Sequence, residues 1–132
     1  MTAEVETTRA PLRLSALPHT WLIDVDGTIL KHNGYLEGGD VLLPGVRALW
    51  DSIPATDVIV LLSARDEVDK PATLAFLETE GLRFDHAIFG LPVGERIVIN
   101  DVKPSGLVTA LAVSVVRDQG LADCRVEIDP TL

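Results

Sequence analysis

The chain has 132 residues, enough for one domain with its own core and too few for two ordinary ones. Hydrophobic residues make up 47% and charged residues 23%, a normal balance for a folded soluble protein. Eleven Lys and Arg stand against 20 Asp and Glu, a formal charge of −9, which argues against nonspecific nucleic-acid binding because that needs clustered cations. A small anionic substrate is not excluded, since a bound metal can reverse the local field. Cys124 is the only cysteine, so there is no disulfide framework and no cysteine-rich zinc site. No apolar run approaches the roughly 20 residues that span a bilayer. The start, Met1 to Glu6, lacks the basic and apolar regions of a signal peptide. A cytoplasmic location with no membrane partner is therefore expected.

Residues 1–17 are polar and without a clean period, and read as a tail or edge segment before a single domain at 18–132. A first strand is predicted over 20–25. The stretch 29–40 carries Asn33 before Gly34, then Gly38 and Gly39, which reads as a flap, since Asn-Gly is a hairpin turn signal. Pro44 is placed to open a helix, with Val46, Leu49, Trp50 and Ile53 at helical spacing. The β-branched run at 58–62 predicts a strand buried on both faces. A helix over 68–80 stops at Gly81. A short strand follows at 86–89, then a loop marked by Gly90, Pro92 and Gly94. Residues 96–99 read as a further buried strand, and 103–106 as a turn. Residues 107–116 can be written as a helix, although their valines favour a strand. A last short strand is expected at 125–128.

Buried strands alternating with helices imply parallel β-α-β units with helices on both faces of a mostly parallel sheet. In such sheets ligands bind beyond the carboxyl ends of the strands. Three polar clusters stand at predicted strand ends: Asp24 with Asp26, Ser63 with Arg65, and Asn100 with Asp101. The apolar run Trp21-Leu22-Ile23 leads straight into Asp24-Val25-Asp26-Gly27-Thr28. Two carboxylates so close at the end of a buried strand repel each other, and burying them unpaired is unfavourable. The pair therefore calls for a cation.

A carboxylate can attack a phosphoryl group, so Asp24 is a candidate nucleophile that would form an aspartyl-phosphate. Asp26 is placed to protonate the leaving oxygen and then activate water. Gly27 lets the chain turn closely around a phosphate, and Thr28 offers a hydroxyl and an N–H. Mg²⁺ suits oxygen ligands, and Asp24, the carbonyl of Asp26 and Asp101 would supply a partial shell. Ser63 can donate to a phosphoryl oxygen from the loop it shares with Ala64 and Arg65. For Arg65 itself, substrate contact and an ordinary ion pair are both open. A nearby lysine would neutralise charge on the phosphoryl group.

The motif Asp24-Val25-Asp26-Gly27-Thr28 resembles the first motif of the haloacid dehalogenase superfamily of phosphohydrolases. Leu62-Ser63-Ala64-Arg65 is similar to its second motif, and Ile99-Asn100-Asp101 to its fourth. The resemblance spans roughly residues 20–106. It implies a three-layer Rossmann-like core, Mg²⁺ dependence and an aspartyl-phosphate intermediate. It assigns Asp24 as nucleophile, Asp26 as acid/base, Ser63 as phosphate ligand and Asp101 as metal ligand. The stretch 89–101 also looks like small bacterial members linked to capsule or sugar-phosphate metabolism, which makes a sugar phosphate the first expected substrate. The pattern is not complete. Asn100 replaces one acidic residue, and Gly90-Leu91-Pro92 stands where some small relatives have Gly-Lys-Pro. Lys103 is the expected substitute for that lysine, ahead of Arg96 and Lys70. No insertion is long enough for a large cap domain, so the flap is the only candidate lid, and a homo-oligomer that lends a lid stays open.

A calcium loop fails, because its sixth position would be Ile29 instead of glycine and its twelfth Tyr35. His19, His32 and His86 share no metal-like spacing, and Trp21 and Trp50 read as core. The rivals to a phosphatase are a receiver-like phospho-acceptor domain and a catalytically impaired phosphate-binding module. The order of motifs speaks against the receiver, where the acceptor Asp ends a later strand; here the strand at 58–62 ends in Ser63.

Overall fold

The computed structural model describes residues 9–132; of the expected N-terminal tail, residues 1–8 lie outside the described part. The molecule is a small α/β protein with parallel sheets and few helices. Its main sheet contains β2 (Thr20–Asp24), β3 (Val58–Leu62) and β4 (His86–Ile88) in the order β2-β3-β4, all parallel. The register pairs Asp24 with Leu62 and Leu62 with Ile88, so the three strands end at one level. A second sheet pairs β1 (Leu12–Leu14) with β5 (Val126–Ile128), also in parallel. An ion pair between Arg13 and Asp129 closes that sheet, and the Asp129 N–H donates to the Leu14 carbonyl at 2.7 Å. The sequence at 1–17 thus holds an edge strand.

Strand β3 alternates instead of being buried on both faces. Ile59 and Leu61 point into the core, while Val58 is exposed and Val60 and Leu62 are half-buried. In register with them, Ile23 joins the buried face and Leu22, 50% exposed, lies on the other. The core gathers this buried face, Val25, Ile29 and Leu30 of the following loop, and the inner residues of both helices. Among the described residues no helix covers the second face, although the alternation suggested that one would: Leu22, Val58 and Ile88 share the open face.

Helix α1 (Val46–Ser52) buries Val46, Leu49 and Trp50, as their spacing predicts. It begins after Pro44, because Gly45 sits at φ +78, a conformation no helix interior allows. Helix α2 (Lys70–Thr79) is preceded by a 3₁₀ turn over Glu67–Asp69. Its end follows the glycine signal: Gly81 takes φ +76 and the Leu82 N–H returns to the Leu77 carbonyl at 3.0 Å. Residues 29–40 form a loop without regular hairpin strands, closed at its base by an antiparallel bridge between Leu30 and Leu42. Asn33 adopts φ +56 and Gly34–Leu36 make a 3₁₀ turn, closed by the Gly39 N–H on the Gly34 carbonyl at 2.9 Å.

The strand expected at 96–99 is absent, and these residues are exposed, Ile99 to 92%. A β-branched run forms a strand only where a neighbouring edge accepts its backbone, and none among the described residues pairs with it. The turn at 103–106 does form, with the Gly106 N–H on the Lys103 carbonyl at 2.8 Å and a bridge between Val102 and Val108. Residues 107–116 are neither helix nor regular strand. No helix among the described residues is long and apolar enough to cross a membrane.

Candidate functional site

The strand ends of β2 and β3 open onto a cleft of about 390 Å³. Asp24 and Asp26 line it from one side, Ala64 and Arg65 from the next strand end, and His32 and Tyr35 from the flap. Arg96 and Arg117 complete its cationic wall.

Asp24 is the last residue of β2. Its Oδ2 accepts the Thr28 hydroxyl at 2.8 Å and its Oδ1 accepts Arg96 Nη1 at 2.7 Å. Both partners of the ion pair are about one-third exposed, so solvent screens it and the cleft can reach it. The loop that follows folds on itself. The Val25 carbonyl accepts the N–H groups of Thr28 at 3.3 Å and of Ile29 and Leu30 at 3.0 Å each. The Gly27 N–H donates to the Leu30 carbonyl at 2.7 Å, a turn that Gly27 permits through φ +79. The Thr28 amide, expected to face a phosphate, is committed within this loop, as is that of Gly27.

Asp26 faces Arg65. The guanidinium donates to Asp26 through Nε at 3.0 Å and Nη2 at 2.8 Å. It donates to Asp40 through Nη1 at 3.0 Å and Nη2 at 2.7 Å, and to the Thr73 hydroxyl through Nη1 at 2.9 Å. A guanidinium has five N–H donors, and all are used. The Tyr35 ring covers Cζ at 3.9 Å, and Arg65 is only 3% exposed. Burial works against the charge on Arg65, but hydrogen bonding and attraction from Asp26 and Asp40 outweigh it and raise its pKa. The Tyr35 hydroxyl is pushed up as well, by burial first and then by the Asp69 charge, with Arg65 pulling the other way. Of the two roles open for Arg65, the structure supplies the ion pair.

Ser63 is 1% exposed. Its hydroxyl oxygen accepts the Arg65 N–H at 3.0 Å, its N–H donates to the Ile88 carbonyl at 2.9 Å, and its carbonyl accepts the Leu91 N–H at 3.1 Å. It therefore shapes the turn that presents Ala64 and Arg65.

Asp101 and Lys103 do not line the cleft. Asp101 lies on the irregular segment, where its carbonyl accepts the Thr109 hydroxyl. Lys103 heads the neighbouring turn, and Lys70 reaches over the Phe89 ring, with Nζ 5.8 Å from its centre. Of the three candidate cations, only Arg96 meets Asp24. No group of three His, Cys, Asp or Glu among the described residues could hold a metal. Asp24 and Asp26 face the cleft without Asp101, and their carboxylates already accept arginine, so the residues gathered here do not fit the expected Mg²⁺ shell.

Asp40, Tyr35, Thr73 and Arg117 belong to the site and carried no sequence signal of it. Tyr35 and Asp40 sit in the flap; Thr73 and Arg117 are ordinary residues until the fold sets them beside Arg65 or Gly27. No family model matches the chain, and no curated protein or solved structure matches it either.

Proposed function

We propose that the chain is a phosphomonoester hydrolase of haloacid dehalogenase type, with β2, β3 and β4 as three strands of a Rossmann-like core. The observation that carries the reading is Asp24: a carboxylate at the carboxyl end of a parallel strand, accessible from a cleft and flanked by an arginine. An Asp24 oxygen attacks phosphorus, the bond from phosphorus to the leaving oxygen breaks, and an aspartyl-phosphate forms. Asp26 gives a proton to the leaving oxygen, then takes one from the water that attacks the aspartyl-phosphate and frees inorganic phosphate. Arg96 stabilises charge on the phosphoryl oxygens. A small sugar phosphate is the first substrate to try.

Turnover of 4-nitrophenyl phosphate, with and without Mg²⁺, tests this. Wild type turns the ester over, and Asp24→Asn lowers the rate by about a thousandfold or more, as loss of a nucleophile does. An Asp24→Asn variant that keeps wild-type turnover overturns the mechanism. A second reading, a catalytically impaired phosphate-binding module, is favoured by the Arg65 clasp, which engages both carboxylate oxygens of Asp26. It gains if wild type binds phosphate but turns over no ester in a broad panel.

A further inference from the structure

We propose that Arg117 is the residue that grips the substrate's phosphate in this cleft. The inference rests on reading the cleft as a phosphate site, and it holds for a hydrolase or a binding module alike.

The first support is the state of the other donors. The Gly27 and Thr28 amides are bonded inside their own loop, the Ser63 hydroxyl is buried and does not line the cleft, and all five Arg65 donors are used. Arg96 is tied through Nη1 to Asp24, so it is shared between the nucleophile and the phosphoryl oxygens. Arg117 alone among the cleft's arginines has no side-chain hydrogen bond or ion pair with the described residues. It offers an intact fork of donors, the geometry that suits phosphate oxygens.

The second support is how Arg117 is held. Its stem crosses Gly27: a Cβ built there would lie 3.0 Å from Arg117 Cγ and 3.6 Å from Nε. A side chain at 27 would push the arginine stem aside by a few tenths of an ångström, so glycine leaves room for Arg117 to lie over the turn that follows Asp24. The next residue fastens the loop to the site. The Asp118 N–H donates to the Gly27 carbonyl at 2.9 Å, and its Oδ1 accepts the His32 N–H at 2.7 Å. Asp118 does this at φ +64, a conformation that L residues other than Asn and Asp rarely take. Such strain persists only where surrounding contacts over-determine it.

The third support is charge. Asp24, Asp26 and Asp40 converge here, and Arg65 and Arg96 offset only two of them. A phosphate entering without Arg117 would meet excess negative charge in a chain that is acidic overall.

Equilibrium binding of inorganic phosphate to the full chain, by calorimetry, tests the proposal without any need for turnover. Wild type binds phosphate, and Arg117→Gln weakens it tenfold or more. Arg117→Lys recovers part of the loss, because charge returns without the fork. Arg47→Gln makes the same change in net charge at a residue that is paired with Glu80 and does not line the cleft, and leaves the affinity unchanged. Far-UV circular dichroism and thermal unfolding confirm that the variants are folded. The proposal is overturned if Arg117→Gln binds as wild type does, if Arg47→Gln weakens binding equally, or if wild type binds no phosphate. Loss of the Asp24 mechanism in the turnover assay would leave this result standing, so the two failures are distinct.

Discussion

Asp57 organises the end of the sheet remote from the cleft. It is buried, and burial alone would raise its pKa, but the Trp21 indole, the His19 backbone N–H and the His19 ring outweigh that and lower it. The bonds are 2.9 Å from Trp21 Nε1, 3.0 Å from the His19 N–H and 2.8 Å to His19 Nδ1. A depressed carboxylate contributes stability above its unfolded pKa, near 3.9, and loses it as pH falls through the lower folded value. Urea unfolding across pH 2–7 should therefore show wild type losing stability below about pH 4. Asp57→Asn should be weaker at neutral pH by about 1.5–3 kcal/mol and less sensitive to acid. Arg65 makes a larger case. Arg65→Met leaves Asp26 and Asp40 in a low-solvent site without their partner, and should cost about 3–5 kcal/mol in the same measurement. Neither role was visible in sequence, where Asp57 only preceded a strand and Arg65 had two equal readings. Partners brought together by the sheet decide both.

Among the elements, those with a dense local signal were legible. Strand β3 follows its β-branched run residue for residue, and α2 stops at the glycine that can take φ +76. The same signal misleads at 96–99, because composition describes what a strand can be made of and not whether an edge receives it. Burial separates the two runs. Ile59 is fully buried and packed in the core, whereas Ile99 lies in solvent. Ile59→Ala should lower unfolding free energy by about 2–5 kcal/mol, since it removes a buried side chain and leaves a cavity. Ile99→Ala should stay within about 0.5 kcal/mol. Equal losses at the two sites would mean that 96–99 packs as a buried strand after all.

The whole molecule completes its cleft by docking the C-terminal loop onto the turn before α1, and this is why Arg117 could not be read in advance. Asp24-Val25-Asp26-Gly27-Thr28 is local and announced itself; Arg117 gains a role only through contacts made far along the chain. The Leu121 N–H donates to the Pro44 carbonyl at 2.8 Å, and Gly120 and Gly45 let the backbones meet. A Cβ at Gly45 would stand 2.2 Å from the Ala122 nitrogen, a backbone atom that no rotamer change can move. Gly45→Ala should therefore lift the loop that carries Arg117 and weaken phosphate binding in the same direction as Arg117→Gln. Gly81 provides the control. Its φ of +76 nearly equals the +78 of Gly45, but a Cβ there meets nothing within 4 Å. Both alanine variants bear the backbone strain, about 1 kcal/mol or more. Only Gly45→Ala adds the clash, so in urea unfolding it should lose more stability than Gly81→Ala. In phosphate titration it alone should lose affinity. Equal phosphate affinity in the two variants would separate the loop from the cleft and leave Arg117 without its support.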